Sequence, residues 1–303
     1  MSKFRTSIGG QAVMEGIAMR GPDMTCLSVR RPDGTIQQEV SPSKKNPFER
    51  YPILRGIASM VIALESGYTF LLHSSDIAFP DQEEDKLDKW LNKHFGENNK
   101  VINYGVALLA GLMSIGLFMF LPTFITGIIA KVIPGLDVYK TVIESILKIA
   151  IFIIYIYSAS RMDEIARVFK YHGAEHKTIF CYENGEELTV ENVRKQGRFH
   201  PRCGTSFTFI TLLISILLFS FVPWNSTLSR IFYKLLFLPL IMGISYEFIR
   251  YAGRHDNAFS RLLSFPGLLV QRLTVFEPED DMIEVAINAM KAVIPEDPEK
   301  DKI

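Results

Sequence analysis

Four stretches of the chain are almost continuously apolar, and the segments between them are polar or alternate. Residues 104–130 (YGVALLAGLMSIGLFMFLPTFITGIIA) carry no charge. At about 1.5 Å per residue, such a helix crosses a hydrocarbon core of roughly 30 Å. Pro122 is expected to kink it, which is tolerable where neighbours satisfy the freed carbonyl. A second span is predicted over 141–160, where Glu144 and Lys148 stand one turn apart and are expected to pair. Spans over 206–223 and 231–246 complete the set. The last is short, and Lys234 within it is expected to snorkel.

Residues 53–72 are apolar over IASMVIAL but contain Arg55 and Glu65, and an ionised carboxylate at mid-bilayer is expensive. The segment between Arg161 and Arg202 is rich in Lys and Arg, whereas 131–140 and 224–230 are short and poor in them. The positive-inside rule then puts the long middle loop and both termini in the cytosol. Four spans satisfy that parity and a fifth breaks it, so 53–72 is read as an interfacial or re-entrant helix. The first residues lack the apolar core of a secretory signal, consistent with a cytosolic N-terminus.

Composition narrows the class. Of 303 residues, 48% are hydrophobic and 22% charged, with 22 Phe, and the mean hydropathy is +0.16. A disordered chain, a collagen-like fibre and a small disulfide scaffold are excluded. Thirty-three basic residues balance thirty-three acidic ones, so no global field draws the chain to nucleic acid. Cys26, Cys181 and Cys203 are irregularly spaced. In a reducing cytosol their thiols stay free for ligation. Cys26 and Cys181 read as small buried residues.

The water-facing parts have their own signals. LSVRRPDGTIQQEV is a hairpin pattern about Pro32-Asp33-Gly34. Before it, GGQAVMEGIAMRGPD has glycines at tight turns but no phosphate-loop ending. Residues 81–100 form a charged connector, and IEVAINAMKAVI predicts a modest amphipathic helix before a polar tail. His73 and His94 are read as solvated. The expected fold is an α-helical integral membrane protein with about four transmembrane helices, a small N-terminal β unit and a cytoplasmic metal-motif loop. It divides into a β-rich unit (1–50), the interfacial helix and connector (51–102), and a first helix pair (103–160). The motif loop (161–205), a second helix pair (206–249) and a cytoplasmic C-terminal segment (250–303) follow.

Candidate chemistry lies in that loop. On a helix, His172 and His176 of HGAEH project from one face, and two neutral imidazoles can reach one Zn2+ at roughly 2.0–2.1 Å. In the H-x-x-E-H arrangement of inverted zincins, the residue at the place of Glu175 is the general base. His200 and Cys203 of HPRCG suit a tight turn and resemble a zinc knuckle. With all four as ligands the site is closed and structural; with three it keeps a position for substrate, leaving Glu175 as catalytic base. Glu247 is a further candidate, although a pair with Arg250 at i+3 is the simpler reading. GEELTV, between the two motifs, hints at a strand.

GGQAVMEGIAMRGP, YHGAEHKTI, HPRCGTSF and PGLLVQRLTVFEPEDDMIEVAI, in this order, resemble the bacterial YqhQ-like family of multi-pass membrane proteins. That resemblance implies a bacterial inner-membrane location and a metal, and supplies no substrate. The positions it carries over are His172, Glu175, His176, His200 and Cys203, with Glu15 and Arg20 in the first motif. The expectation that follows is a zinc-dependent hydrolase with a cytosol-facing site, acting on an amphiphilic substrate such as a lipid-linked molecule or membrane peptide. The alternative is a non-enzymatic scaffold with a closed His3Cys zinc site. A transporter would need more ionisable residues inside the spans than Glu144 and Lys148.

Overall fold

The computed structural model describes residues 4–80, 100–133, 135–224, 226–255 and 257–301. Most of the charged connector, His94 and Asp256 lie outside them. The chain divides into two compact units: Met1–Pro80, Ile156–Ile214 and Pro239–Ile303 in the first, Asp81–Tyr155 and Ser215–Leu238 in the second.

The first unit is built on an antiparallel meander of β1 (Gly9–Val13), β2 (Gly16–Arg20), β3 (Met24–Arg30) and β4 (Ile36–Pro42), paired in sequence order. Strand alternation divides the side chains between two faces. Ile17, Met19 and Cys26 face a core made with Tyr171, Ala174 and Cys181 and with Met282, Ile283, Ala286 and Met290. Val13, Ala18, Leu27 and Val29 face the other way, against Phe70, Ile77 and Ala78. The hairpin between β3 and β4 forms where Pro32-Asp33-Gly34 predicts it. Gly34 takes φ +84° and Asp33 Oδ1 accepts from the Thr35 N–H at 2.9 Å. Cys26 and Cys181 are buried as expected, and burial pushes each thiol up to about 11.

Helix α1 (Leu54–Ala78) is one unbroken helix of 25 residues, with no re-entrant break. Together with 105–132, 140–159 and 227–254 it makes, among the described residues, four helices long and apolar enough to cross a membrane. The number agrees with expectation, but the membership differs. The predicted third span is a helix of 17 residues (Gly204–Ser220), while α1 runs six residues past the expected end. Glu247 does not pair with Arg250. It binds Arg55 of α1 at 2.8 and 2.5 Å, and Arg250 meets Glu49 at 3.2 Å.

The second unit is helical among its described residues. Helix α2 (Lys100–Ile115) leads through a π turn (Gly116–Phe120) into α3 (Leu121–Val132), and the wider turn just precedes Pro122. Glu144 of α4 (Lys140–Ala159) does not pair with Lys148. It is buried against Arg230 at 2.8 Å, Lys234 and the Thr123 hydroxyl at 2.6 Å. Lys148 reaches the Ser215 hydroxyl at 2.6 Å. Lys234 therefore does not snorkel; at 2% exposure its ammonium is held inside. More ionisable groups lie in the helix interiors than the apolar pattern suggested.

Residues expected as a loop are largely helical: α5 (Asp163–Glu183) carries HGAEH, and α6 (Val190–Arg194) follows. GEELTV forms no strand, because Thr189 caps α6 by accepting from the Asn192 N–H. Helices α7 (Gly204–Ser220), α8 (Thr227–Arg254), α9 (Ala258–Thr274) and α10 (Asp280–Lys291) complete the chain. Seven of the twelve residues of α10 are buried, so the modest amphipathic helix is a core element.

Candidate metal centre

Helix α5 contains a glycine at its middle, which costs roughly 1 kcal/mol relative to alanine. A Cβ at Gly173 would collide with the Phe276 carbonyl oxygen. The glycine thus lets the chain after α9 lie directly on α5, where the Phe276 N–H donates to Phe169 O at 2.9 Å. That close approach brings Thr274 O within 2.9 Å of His172 Nδ1.

One turn on, His176 Nδ1 lies 2.6 Å from Arg198 O. A carbonyl can only accept, so each Nδ1 carries the proton and each Nε2 presents a lone pair. The two rings meet edge to face with centroids 4.4 Å apart. His172 Nε2 is 3.1 Å from Cys203 Sγ. His176 Nε2 is buried and has no hydrogen-bond partner. The donor atoms of His172, His176 and Cys203 all lie within 4.8 Å of one another.

Cys203 immediately precedes α7. Its carbonyl accepts from the Ser206 N–H at 3.0 Å, and its sulfur faces the Thr205 N–H at 3.4 Å. The turn before it is clamped by Gln271 of α9. The side-chain oxygen of Gln271 accepts from the His200 N–H at 2.9 Å, and its amide donates to His200 O at 2.7 Å.

His200 itself is placed differently. Its Nδ1 accepts from the Arg202 N–H at 3.3 Å, which leaves the proton on Nε2, facing Glu183 Oε2 at 3.7 Å. Neither nitrogen then offers a free lone pair to the triad. Burial pushes the imidazole down to about 4, against the pull of Glu183. Burial also pushes the Glu183 carboxyl up, but His200, Arg202 and the Thr6 N–H outweigh it and hold it below the ordinary range. His200 and Glu183 brace the turn that presents Cys203.

Glu175 points toward the sheet. Its Oε1 accepts from the Gly10 N–H at 3.1 Å, while Oε2 is buried without a partner. Burial raises its pKa, against the opposing effects of His172 and Gly10. A Cβ at Gly10 would stand 3.0 Å from this carboxylate, so the glycine admits it. Of the remaining candidates, Glu15 sits in the β1–β2 turn at φ 47° and grips Arg167 with both oxygens at 2.5 Å. The Arg20 guanidinium donates to Lys44 O. Neither belongs to the triad, and Glu247 is held by Arg55.

Two imidazole nitrogens and one sulfur are the donors that zinc prefers. Ordinary bond lengths and a tetrahedral angle set N and S about 3.5 Å apart, a few tenths beyond the 3.1 Å between His172 and Cys203. The residues therefore fit such an ion. The supports from Thr274, Arg198 and Gln271 were not read from the sequence. Two are backbone carbonyls with no side-chain signature. Gln271, a lone amide in an apolar run, was the available signal.

The family model described as "Protein of unknown function (DUF1385)" matches residues 51–296. The chain belongs to this family. It is also 35% identical over 302 residues to "Uncharacterized protein YqhQ" of Bacillus subtilis (strain 168), covering 97% of this chain and 95% of that one. No solved structure matches. All five candidate residues of the centre fall within the part that matches the DUF1385 model.

Proposed function

We propose that this chain is a membrane-embedded, zinc-dependent hydrolase whose metal is held by His172 Nε2, His176 Nε2 and Cys203 Sγ. The observation that carries the reading is the buried Nε2 of His176, a lone pair without a partner on a ring fixed by Arg198 O. A buried acceptor left unmatched costs about 1–3 kcal/mol, and a metal ion removes that cost. Partners on the far nitrogens of ligating histidines are the usual means of fixing the tautomer.

Three donors favour an open site over a closed His3Cys site, because the nitrogens of His200 are engaged with Arg202 and Glu183. A zinc ion with a vacant position supplies a Lewis acid and brings the pKa of a coordinated water to about 7. Glu175, buried beside His176 on α5, is the residue assigned to accept the proton. The four long apolar helices support a membrane setting, and an amphiphilic or lipid-linked substrate suits such a position. The basic segment on α5–α6 argues for a cytosolic face.

The test is zinc content of the detergent-purified chain beside turnover of amphiphilic esters and phosphodiesters. About one zinc per chain in both wild type and Glu175→Gln is expected, with turnover lost only in the variant. Zinc with no Glu175-dependent turnover would leave the scaffold reading. No zinc after supply and washing would overturn both.

A further inference from the structure

The face of the sheet turned away from the triad borders a cavity of about 360 Å³, lined by β2, β3, β4 and α1. Its apolar lining includes Leu27, Val40 and Phe70, and its titratable lining is Arg20, Lys44, His73 and Glu39. Lys44 and His73 already have partners: Lys44 lies 2.9 Å from Glu65, and the His73 ring lies 3.5 Å from Glu39.

Eight of the sixteen arginines each hold a carboxylate in an ion pair, among them Arg30 and Arg55 of the same unit as Arg20. Among the described residues no carboxylate pairs with Arg20. One of its terminal nitrogens donates to Lys44 O, which fixes the guanidinium plane without neutralising it. Arg20 itself lines the cavity. A planar fork with an uncompensated charge is the group that recognises phosphate in two parallel hydrogen bonds.

The surroundings indicate where the phosphate comes from. Ser66, Thr69, Phe70 and His73 recur at helical spacing on the cavity side of α1. Val61, Leu64 and Leu71 fall on its opposite side and are 57%, 63% and 40% exposed. A helix apolar on its open side and polar toward a cavity suits the boundary between acyl chains and headgroups. We propose that this cavity binds the phosphodiester headgroup of a membrane phospholipid, with Arg20 holding the phosphate and the apolar lining receiving the glycerol and upper chain. The proposal requires a membrane around α1 and is independent of the metal.

The experiment is native mass spectrometry of the delipidated full chain in detergent, titrated with dioctanoyl phosphatidylglycerol. Dioctanoylglycerol, which lacks the phosphate, and glycerol 3-phosphate, which lacks the chains, are the comparisons. One tightly bound phospholipid is expected, with affinity about tenfold lower in Arg20→Gln and both comparison ligands much weaker. Arg20→Lys, which keeps the charge but not the fork, should fall between; thermal unfolding confirms that each variant is folded. If Arg20→Gln fails to fold, Arg20→Lys decides alone, and unchanged affinity in it overturns the proposal. Equal binding by wild type and a folded Arg20→Gln also overturns it, as does equal binding of dioctanoylglycerol. Glycerol 3-phosphate binding as tightly as the phospholipid would reject the lipid as occupant.

Discussion

His172 Nε2 and Cys203 Sγ stand 3.1 Å apart although 31 residues separate them in the chain. Since His172 Nδ1 spends its proton on Thr274 O, the thiol is the donor in this contact, and a metal entering the site would displace that proton. The contact also explains why His200 stands aside. The turn aims one of its two candidate ligands at the triad and keeps the other to hold its own shape.

Loss of metal should follow that division. His176→Ala and Cys203→Ala are expected to abolish zinc binding, while His200→Gln keeps about one zinc per chain at reduced affinity. Elemental analysis after extensive washing checks it. Complete zinc loss in a folded His200→Gln would return the closed four-ligand site.

Gly173→Ala sets two effects against each other. Helix propensity favours alanine by about 1 kcal/mol, but the new Cβ would collide with the Phe276 carbonyl oxygen. Forcing two packed backbones apart costs roughly 1–3 kcal/mol or more, so net destabilisation is expected. Thr274 lies on the displaced segment, and zinc affinity should fall about 10–100-fold with it. Thermal melts and a competition titration with a chelator read the two effects. A variant more stable than wild type would reject this close approach.

Gln271→Leu removes both bonds to the His200 backbone and leaves a buried N–H and C=O unmatched. Destabilisation of about 2–4 kcal/mol is expected from the two groups, with weaker zinc binding. Gln271→Glu retains an acceptor for the His200 N–H, and its carboxyl supplies a donor for His200 O only when protonated, so it should be less harmful than Gln271→Leu and least harmful at low pH. Chemical unfolding of the three proteins side by side distinguishes the clamp from simple packing.

The pH dependence of the bracing turn has a definite sign. Burial depresses His200 from 6.5 to about 4 in the folded chain, so the unfolded chain binds the extra proton first as pH falls. The neutral imidazole's contribution is complete above about pH 6.5 and is lost as pH falls from there to about 4, by up to roughly 3 kcal/mol. Stability of the zinc-free protein measured across that window should slope upward with pH, and less steeply in His200→Gln. Equal slopes would mean that His200 is not held neutral by burial.

The meeting of His172 with His176 was legible because residue type and spacing carry it. HGAEH fixes two imidazoles on one helix face wherever that helix lies, and Pro32-Asp33-Gly34 fixes its hairpin locally. What escaped were relationships across long separations. His200 looked like the partner of Cys203 from spacing alone, but its lone pair goes to a backbone N–H. Glu247 had a plausible neighbour in Arg250, yet its partner is Arg55, 192 residues away. Lys234 seemed a charge in need of escape because an apolar pattern read along one helix does not reveal a carboxylate on another, 90 residues earlier. Arg55 and Glu65 counted against an apolar α1 for the same reason: Glu247 and Lys44 compensate them from elsewhere.

Glu144 illustrates this most sharply, since one carboxylate serves Arg230, Lys234 and Thr123 in the interior of the second unit. Glu144→Gln keeps the shape but removes the counter-charge from two cations that are 0% and 2% exposed. Stranding a buried charge in this way costs about 3–5 kcal/mol. Replacing the ion pairs entirely is a different change. A triple variant, Glu144→Leu with Lys234→Met and Arg230→Met, removes every charge at once and should recover most of the loss, although the carbonyls of Phe219 and Val222 lose the donors they have in Arg230. Unfolding measured in detergent orders the three proteins: wild type and triple variant close together, Glu144→Gln well below. A Glu144→Gln protein as stable as wild type would show that the cations do not depend on this carboxylate.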